Sequence, residues 1–249
     1  MCGRLNIQGK QLVQMVMDFL EHDVYPPPDI ADDYNLAPTQ SVSVLRLNDE
    51  GSLECRPMRW WLTPSWSPGP SARFQTFNAR IETAASSKAF GAPFARQRCV
   101  VPISGYYEWT SKAGQKVPFF IRGQGEQGLW LAGIWDAWQP RGVPQDEPLY
   151  SFALLTSAAR GGLGALHPRQ PLILDGAGTR QWLDAERQTS VLVEQYAGRL
   201  PISLRLDPVS SWVNNARHKG ERCHQAIGPP ELIASDDQHG ARSLLQEGG

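Results

Sequence analysis

The stretch from Gln97 to Trp135, QRCVVPISGYYEWTSKAGQKVPFFIRGQGEQGLWLAGIW, decides the fold. It holds four short runs rich in β-branched and aromatic residues: Gln97–Pro102, Tyr106–Thr110, Pro118–Arg122 and Leu129–Trp135. Glycine-containing breaks separate them, the pattern of strands joined by tight turns. Ser151–Leu155 continues the series downstream. Upstream, Ser41–Leu47 alternates polar and apolar residues as a half-buried strand does, and Leu53–Trp61 is a further strand candidate. Helical patterns lie outside this block. Gln11–Leu20 puts Leu12, Val16, Phe19 and Leu20 on one face and is stopped by Tyr25-Pro-Pro-Pro-Asp29. Thr179–Arg187 and Ser190–Ala197 read as helices with hydroxyl residues available as N-caps. The expected class is α+β: one compact domain over residues 1–226, its largely antiparallel sheet curled or closed like a barrel with peripheral helices. Residues 227–249, with Ser235-Asp-Asp-Gln-His-Gly240 and a Gly-Gly end, are expected to form a flexible tail.

Composition narrows the function classes. Hydrophobic content of 41% and charged content of 20% suit a globular chain rather than a disordered one. No apolar run approaches the roughly 20 residues that span a bilayer, and Met1–Lys10 does not read as a signal peptide. The expectation is a cytoplasmic monomer, or a nuclear one in a eukaryote, without membrane contact. Cysteines at 2, 55, 99 and 223 lack Cys-x-x-Cys spacing, and the histidines do not pair with them as metal ligands. No metal and no cofactor is expected, and no nucleotide-binding glycine loop is present. The net charge of −1 hides a local bias: residues 51–100 carry seven cations, Arg56, Arg59, Arg73, Arg80, Lys88, Arg96 and Arg98, against Glu54 and Glu82. Trp60, Trp61, Trp66, Phe74 and Phe77 are interleaved with them, a mixture of stacking surfaces and phosphate-binding cations that suits single-stranded nucleic acid. Trp66 stands on the proline-rich loop Thr63–Pro70, where packing gives it no obvious employment.

Cys2 is the most reactive feature. A small residue at position 2 normally permits removal of Met1, which leaves an amine of reference pKa roughly 7.7–8.0 beside a thiol of roughly 8.5. Such a 1,2-aminothiol condenses with an aldehyde to an imine, and the thiol closes a thiazolidine ring that resists hydrolysis better than the imine alone. Phe77-Asn-Ala-Arg-Ile-Glu-Thr83 gathers an amide, a guanidinium and a carboxylate; Gly105-Tyr-Tyr-Glu-Trp109 sets Glu108 among aromatics, which favours general acid–base work; Leu166-His-Pro-Arg-Gln-Pro171 holds a histidine and an arginine between prolines.

With Met1-Cys-Gly-Arg4, Tyr34-Asn-Leu-Ala-Pro38, Pro118-Phe-Phe-Ile121, Leu131-Ala-Gly-Ile134 and Pro208-Val-Ser210, these motifs in this order resemble the SOS-response-associated peptidase family over residues 2 to about 220. The resemblance implies a sensor and shield of abasic sites in single-stranded DNA. Cys2 would be the nucleophile of a covalent thiazolidine crosslink, Asn78 would orient the aminothiol and sugar, and Glu108 would move protons during ring opening and imine formation. His167 would assist opening or reversal of the link. Arg4, Arg80 and Arg169 would hold phosphates, Trp66 would stack beside the lesion, with Trp60 either joining it or filling the core, and Thr156 would join the DNA contacts; Glu82 is read as structural, since a carboxylate facing DNA would need a partner. On DNA the protein would be nucleoid-associated. The alternatives are a thiol autopeptidase that removes its own first residue and a non-covalent single-strand or modified-base binding module; weak lyase activity would follow from the imine. Two positions depart from the family pattern: Trp61 stands where glycine is usual, and Pro168 replaces a polar residue and removes an N–H donor.

Overall fold

The computed structural model describes residues 2–20, 28–71, 73–112, 114–125, 128–142 and 147–236. Among these the chain runs β1 (Leu5–Ile7), α1 (Gly9–Phe19), β2 (Asp33–Leu36), β3 (Ser41–Leu47), β4 (Leu53–Trp60), β5 (Asn78–Arg80), α2 (Ile81–Ala84) and α3 (Gly91–Arg96). β6 (Arg98–Ile103), β7 (Gly105–Lys112), β8 (Gln115–Gly123), β9 (Leu129–Trp138) and β10 (Leu149–Ala158) follow. After a 3-10 turn at Gly161–Ala165 come β11 (Arg169–Pro171), β12 (Ile173–Leu174), α4 (Gly176–Leu183), α5 (Thr189–Tyr196), β13 (Leu204–Pro208) and β14 (Glu231–Ile233).

Five strands close on themselves in the order β3-β4-β10-β9-β6, so the sheet has no open edge within the ring. The pairings are antiparallel except where β10 runs parallel to β4 and β5. The second sheet is antiparallel, in the order β14-β13-β8-β7-β1-β2. β6 passes into β7 through Ser104, whose N–H donates to Asn6 O at 2.9 Å, and Leu5, Ile7, Tyr106 and Ile121 of the second sheet join the core that fills the barrel.

β6 is buried along its whole length because its outer face is covered as well: α4 and α3 pack on it. Trp182 of α4 donates its indole N–H to Cys99 O at 3.0 Å and Gly133 O at 3.1 Å. A Cβ at Gly133 would lie 2.9 Å from Cys99 Sγ, so glycine is what lets β9 approach β6 here. Arg98, also buried, donates to Phe94 O and Ala95 O (both 3.0 Å), Trp182 O (2.8 Å) and Asp184 O, satisfying carbonyls at the C-terminal ends of α3 and α4.

The α+β, barrel-containing class is as the strand runs predict, with several strands longer than the sequence suggests. Three local expectations change. Part of the expected tail, residues 227–236, is attached to the fold: β14 pairs with β13, and Leu200 N–H donates to Asp236 Oδ2 at 2.8 Å. The remainder of the expected tail, and Tyr25-Pro-Pro, lie outside the described residues. α4 begins earlier than Thr179 because Asp175, not a hydroxyl, accepts from Gly178 N–H at 2.6 Å; α5 has no side-chain cap.

Candidate functional site at the seam of the two sheets

Cys2 lies three residues before the start of β1, which is held between β2 and β7. Leu5 faces Tyr106 and Tyr107 N–H donates to Arg4 O at 3.0 Å, so the same ladder carries the Cys2–Gly3 end alongside Glu108. From the barrel side, β5 pairs with β10 and sets Asn78 against this end: its Nδ2 donates to Cys2 O at 2.6 Å. Asn78 Oδ1 is buried without a hydrogen-bond partner among the described residues, an acceptor whose desolvation is uncompensated until a donor arrives.

Cys2 is fully buried. Burial pushes its thiol well above the usual range, and the Glu108 carboxylate adds to this, while a hydrogen bond with the Arg4 backbone works the other way. The partial ionisation near neutral pH expected from reference values therefore does not hold for the enclosed thiol. Tyr106 is kept protonated by burial first and then by Cys2 and Glu108. Glu108 is nearly buried on β7, with Trp109 N–H donating to its Oε1 at 3.3 Å.

His167 follows the 3-10 turn, its N–H bonded to Leu163 O at 3.1 Å. Its Nδ1 lies 3.0 Å from Arg169 N and 3.1 Å from Arg169 O. A neutral ring accepts from that N–H and carries its proton on Nε2; an imidazolium donates to the carbonyl instead. The backbone of Arg169 thus presents both a donor and an acceptor to Nδ1 and holds the ring in place. Pro168, the departure expected to cost a donor, keeps its carbonyl employed by Ala159 N–H at 3.0 Å.

The arginines divide. Arg80 is exposed at the end of β5. Arg169 is held by both oxygens of Glu82 at 2.8 Å and by Thr156 O at 2.6 Å. Partial burial alone would raise the Glu82 pKa, but hydrogen bonds from Arg169 and the backbone outweigh it and hold the carboxyl below its usual range. Arg4 gives Nη1 to Asn35 Oδ1 at 2.7 Å and Val213 O at 2.9 Å, with its guanidinium 5.6 Å from the Trp109 ring. It ties Val213 to Asn35 of the second sheet, so a phosphate would have to compete with these two acceptors.

Burial selects between the alternatives for Trp60 and corrects the expectation for Thr156. Trp60 is fully buried, donating its indole N–H to Phe77 O at 2.8 Å, and cannot stack on DNA. Thr156 is buried in β10, its hydroxyl 3.3 Å from Ala79 O, so it supports Arg169 rather than touching a strand. Trp66, by contrast, is 47% exposed, with Lys88 Nζ 4.6 Å from its ring. Trp61, at the usual glycine, fastens the same loop by donating to Ser71 O at 3.1 Å. Sequence reasoning leaves the Glu82–Arg169 pair and the Lys88–Trp66 stack unpaired, because residues so far apart along the chain give no local signal.

The family model for "SOS response associated peptidase (SRAP)" matches residues 1–216. The chain is 32% identical to the abasic site processing protein HMCES of Rattus norvegicus, over 95% of this chain and 73% of that protein. It is 30% identical to the abasic site processing protein YedK of Escherichia coli, over 91% and 100%. It is 26% identical to the abasic site processing protein YoqW of Bacillus subtilis, over 94% and 100%. Its fold is also that of a Bacteroides thetaiotaomicron crystal structure, with a TM-score of 0.75 at 18% identity, over 91% of this chain and all of the other. A Bordetella bronchiseptica protein gives 0.69 at 21%, over 84% and 100%.

Proposed function

Because the chain belongs to the SOS response associated peptidase family, we propose that it processes abasic sites in single-stranded DNA by capturing the lesion covalently on Cys2. After loss of Met1, the α-amine attacks the open-chain aldehyde at C1′ and water leaves as the imine forms. The Cys2 S–H then adds across the C=N bond: sulfur bonds to C1′, the nitrogen takes the proton, and a thiazolidine results.

The observation that carries the reading is the enclosure of Cys2 between Asn78 and the Glu108 strand. Asn78 fixes the Cys2 carbonyl and offers its unpartnered oxygen to the amine or to a sugar hydroxyl. Glu108 takes and returns the protons of ring opening and dehydration, and His167 supplies a second proton relay. Because burial keeps the thiol protonated, imine formation by the amine comes first and ring closure follows. Arg80 and Arg169 hold flanking phosphates, Arg169 after exchanging Glu82 for the strand, and Trp66 stacks on a neighbouring base. An imine at C1′ also acidifies C2′, so slow strand cleavage accompanies capture.

The test is a single-stranded oligonucleotide with one abasic site, mixed with wild type or Cys2→Ala and read by denaturing electrophoresis and intact mass. A denaturation-stable adduct confined to wild type and to the lesion is expected. Adduct-free mixtures with Met1 verifiably absent would overturn the covalent reading.

A further inference from the structure

On the outer face of the second sheet, Arg122 of β8 and Arg205 of β13 stand directly opposite each other in register. Like charges so placed repel. Buried Asp207, one pair along on the same face, sits between them: Arg122 Nε donates to its Oδ2 at 3.2 Å, and Arg205 Nε reaches both oxygens, at 2.9 and 3.1 Å. One carboxylate therefore serves two guanidiniums. Both meet it through Nε, which leaves their terminal nitrogens without a protein acceptor among the described residues. A fold that needed only to neutralise Asp207 would be served by a single arginine.

The two forks line an open cleft of about 550 Å³, together with Gln8, Gln225 and His224. The His224 ring is stacked on Tyr34, with centroids 5.4 Å apart, and packs on Phe120; burial pulls its pKa below the usual value, so the positive charge here belongs to the arginines. Asp207 is the only carboxylate among the described lining residues. Gln8 follows β1 whereas Cys2 precedes it, so the cleft lies at the opposite end of that strand from the capture site.

We propose that this cleft binds a phosphate group, clasped by the terminal nitrogens of Arg122 and Arg205. Two planar forks already oriented by a buried carboxylate suit an oxyanion with several acceptor oxygens, and the cleft has room for the rest of a nucleotide-sized ligand. The phosphate comes either from a free phosphorylated small molecule or from a nucleic-acid strand.

Thermal unfolding of the full chain in inorganic phosphate, against sodium chloride at equal ionic strength, tests the site. A saturable rise of roughly 3–6 °C at ten times the dissociation constant is expected with phosphate alone. Arg205→Gln and Arg122→Gln each leave Asp207 one arginine, so both variants fold, and both lose the rise. No phosphate-specific rise in wild type, or an equal rise in both variants, overturns the proposal. Affinity for an undamaged single-stranded oligonucleotide distinguishes the sources: a loss in the variants assigns the phosphate to a strand, an unchanged value to a free ligand. Adduct formation at Cys2 under saturating DNA is the same in all three proteins, which keeps this result separate from the capture chemistry.

Discussion

At the scale of single residues, Asn78 does two things with one amide. Its nitrogen fixes Cys2 O and its oxygen waits for a donor. Asn78→Ala leaves a buried carbonyl unpaired and removes that acceptor, a loss on the order of 1–3 kcal/mol. Single-turnover adduct formation should slow by roughly 5- to 150-fold, and the melting temperature should fall by roughly 2–12 °C. Cys2 provides a pH test. Its thiol is raised by burial and by Glu108, so the fraction ionised stays small until the pH is well above neutrality. Alkylation of Cys2 by iodoacetamide is expected to keep accelerating between pH 8 and 10, where a free thiol of pKa roughly 8.5 levels off. A plateau near pH 9 would contradict the assigned burial effect.

At the scale of elements, the long strands were legible and the short ones were not, and much of the site rests on the short ones although Glu108 stands on the long β7. Ser41–Leu47 alternates and is found as read, because a hairpin partner and the barrel core act on every residue of it. β1, β5 and β11 have three residues each, too few for any periodicity, yet they position Cys2, Asn78 and Arg169. Their formation depends on partners far along the chain. Motif order singled out Cys2, Asn78, Glu108 and His167 as candidates, but only packing separates Trp60, which fills the core, from Trp66, which faces solvent. Trp66→Ala should weaken non-covalent binding to an undamaged single strand by about 1–3 kcal/mol, with the adduct rate at saturating DNA preserved. In β7, a Cβ at Gly105 would lie 2.4 Å from the Phe120 ring and 2.6 Å from Ile121 O. Gly105→Ala is expected to destabilise the fold by about 1–3 kcal/mol in urea unfolding, because the strand pair has no room to part.

At the scale of the whole molecule, Arg98 joins the barrel to its helical cover, since one guanidinium holds carbonyls from the ends of both α3 and α4. Arg98→Met keeps much of the volume and strands those carbonyls. A loss of about 3 kcal/mol or more is expected in denaturant unfolding, with the transition remaining a single cooperative step because barrel, helices and second sheet share one core.

The position of β1 also imposes an order in time. It is closed on one side by β2, made early, and on the other by β7, which is complete only when Lys112 has been synthesised. At about 5–20 residues per second, that interval lasts roughly 5–20 s. Through it β1 has β2 as a neighbour but lacks β7; afterwards the second pairing forms and Cys2 is enclosed. Under the proposed capture by Cys2, removal of Met1 therefore competes in time with closure of this strand.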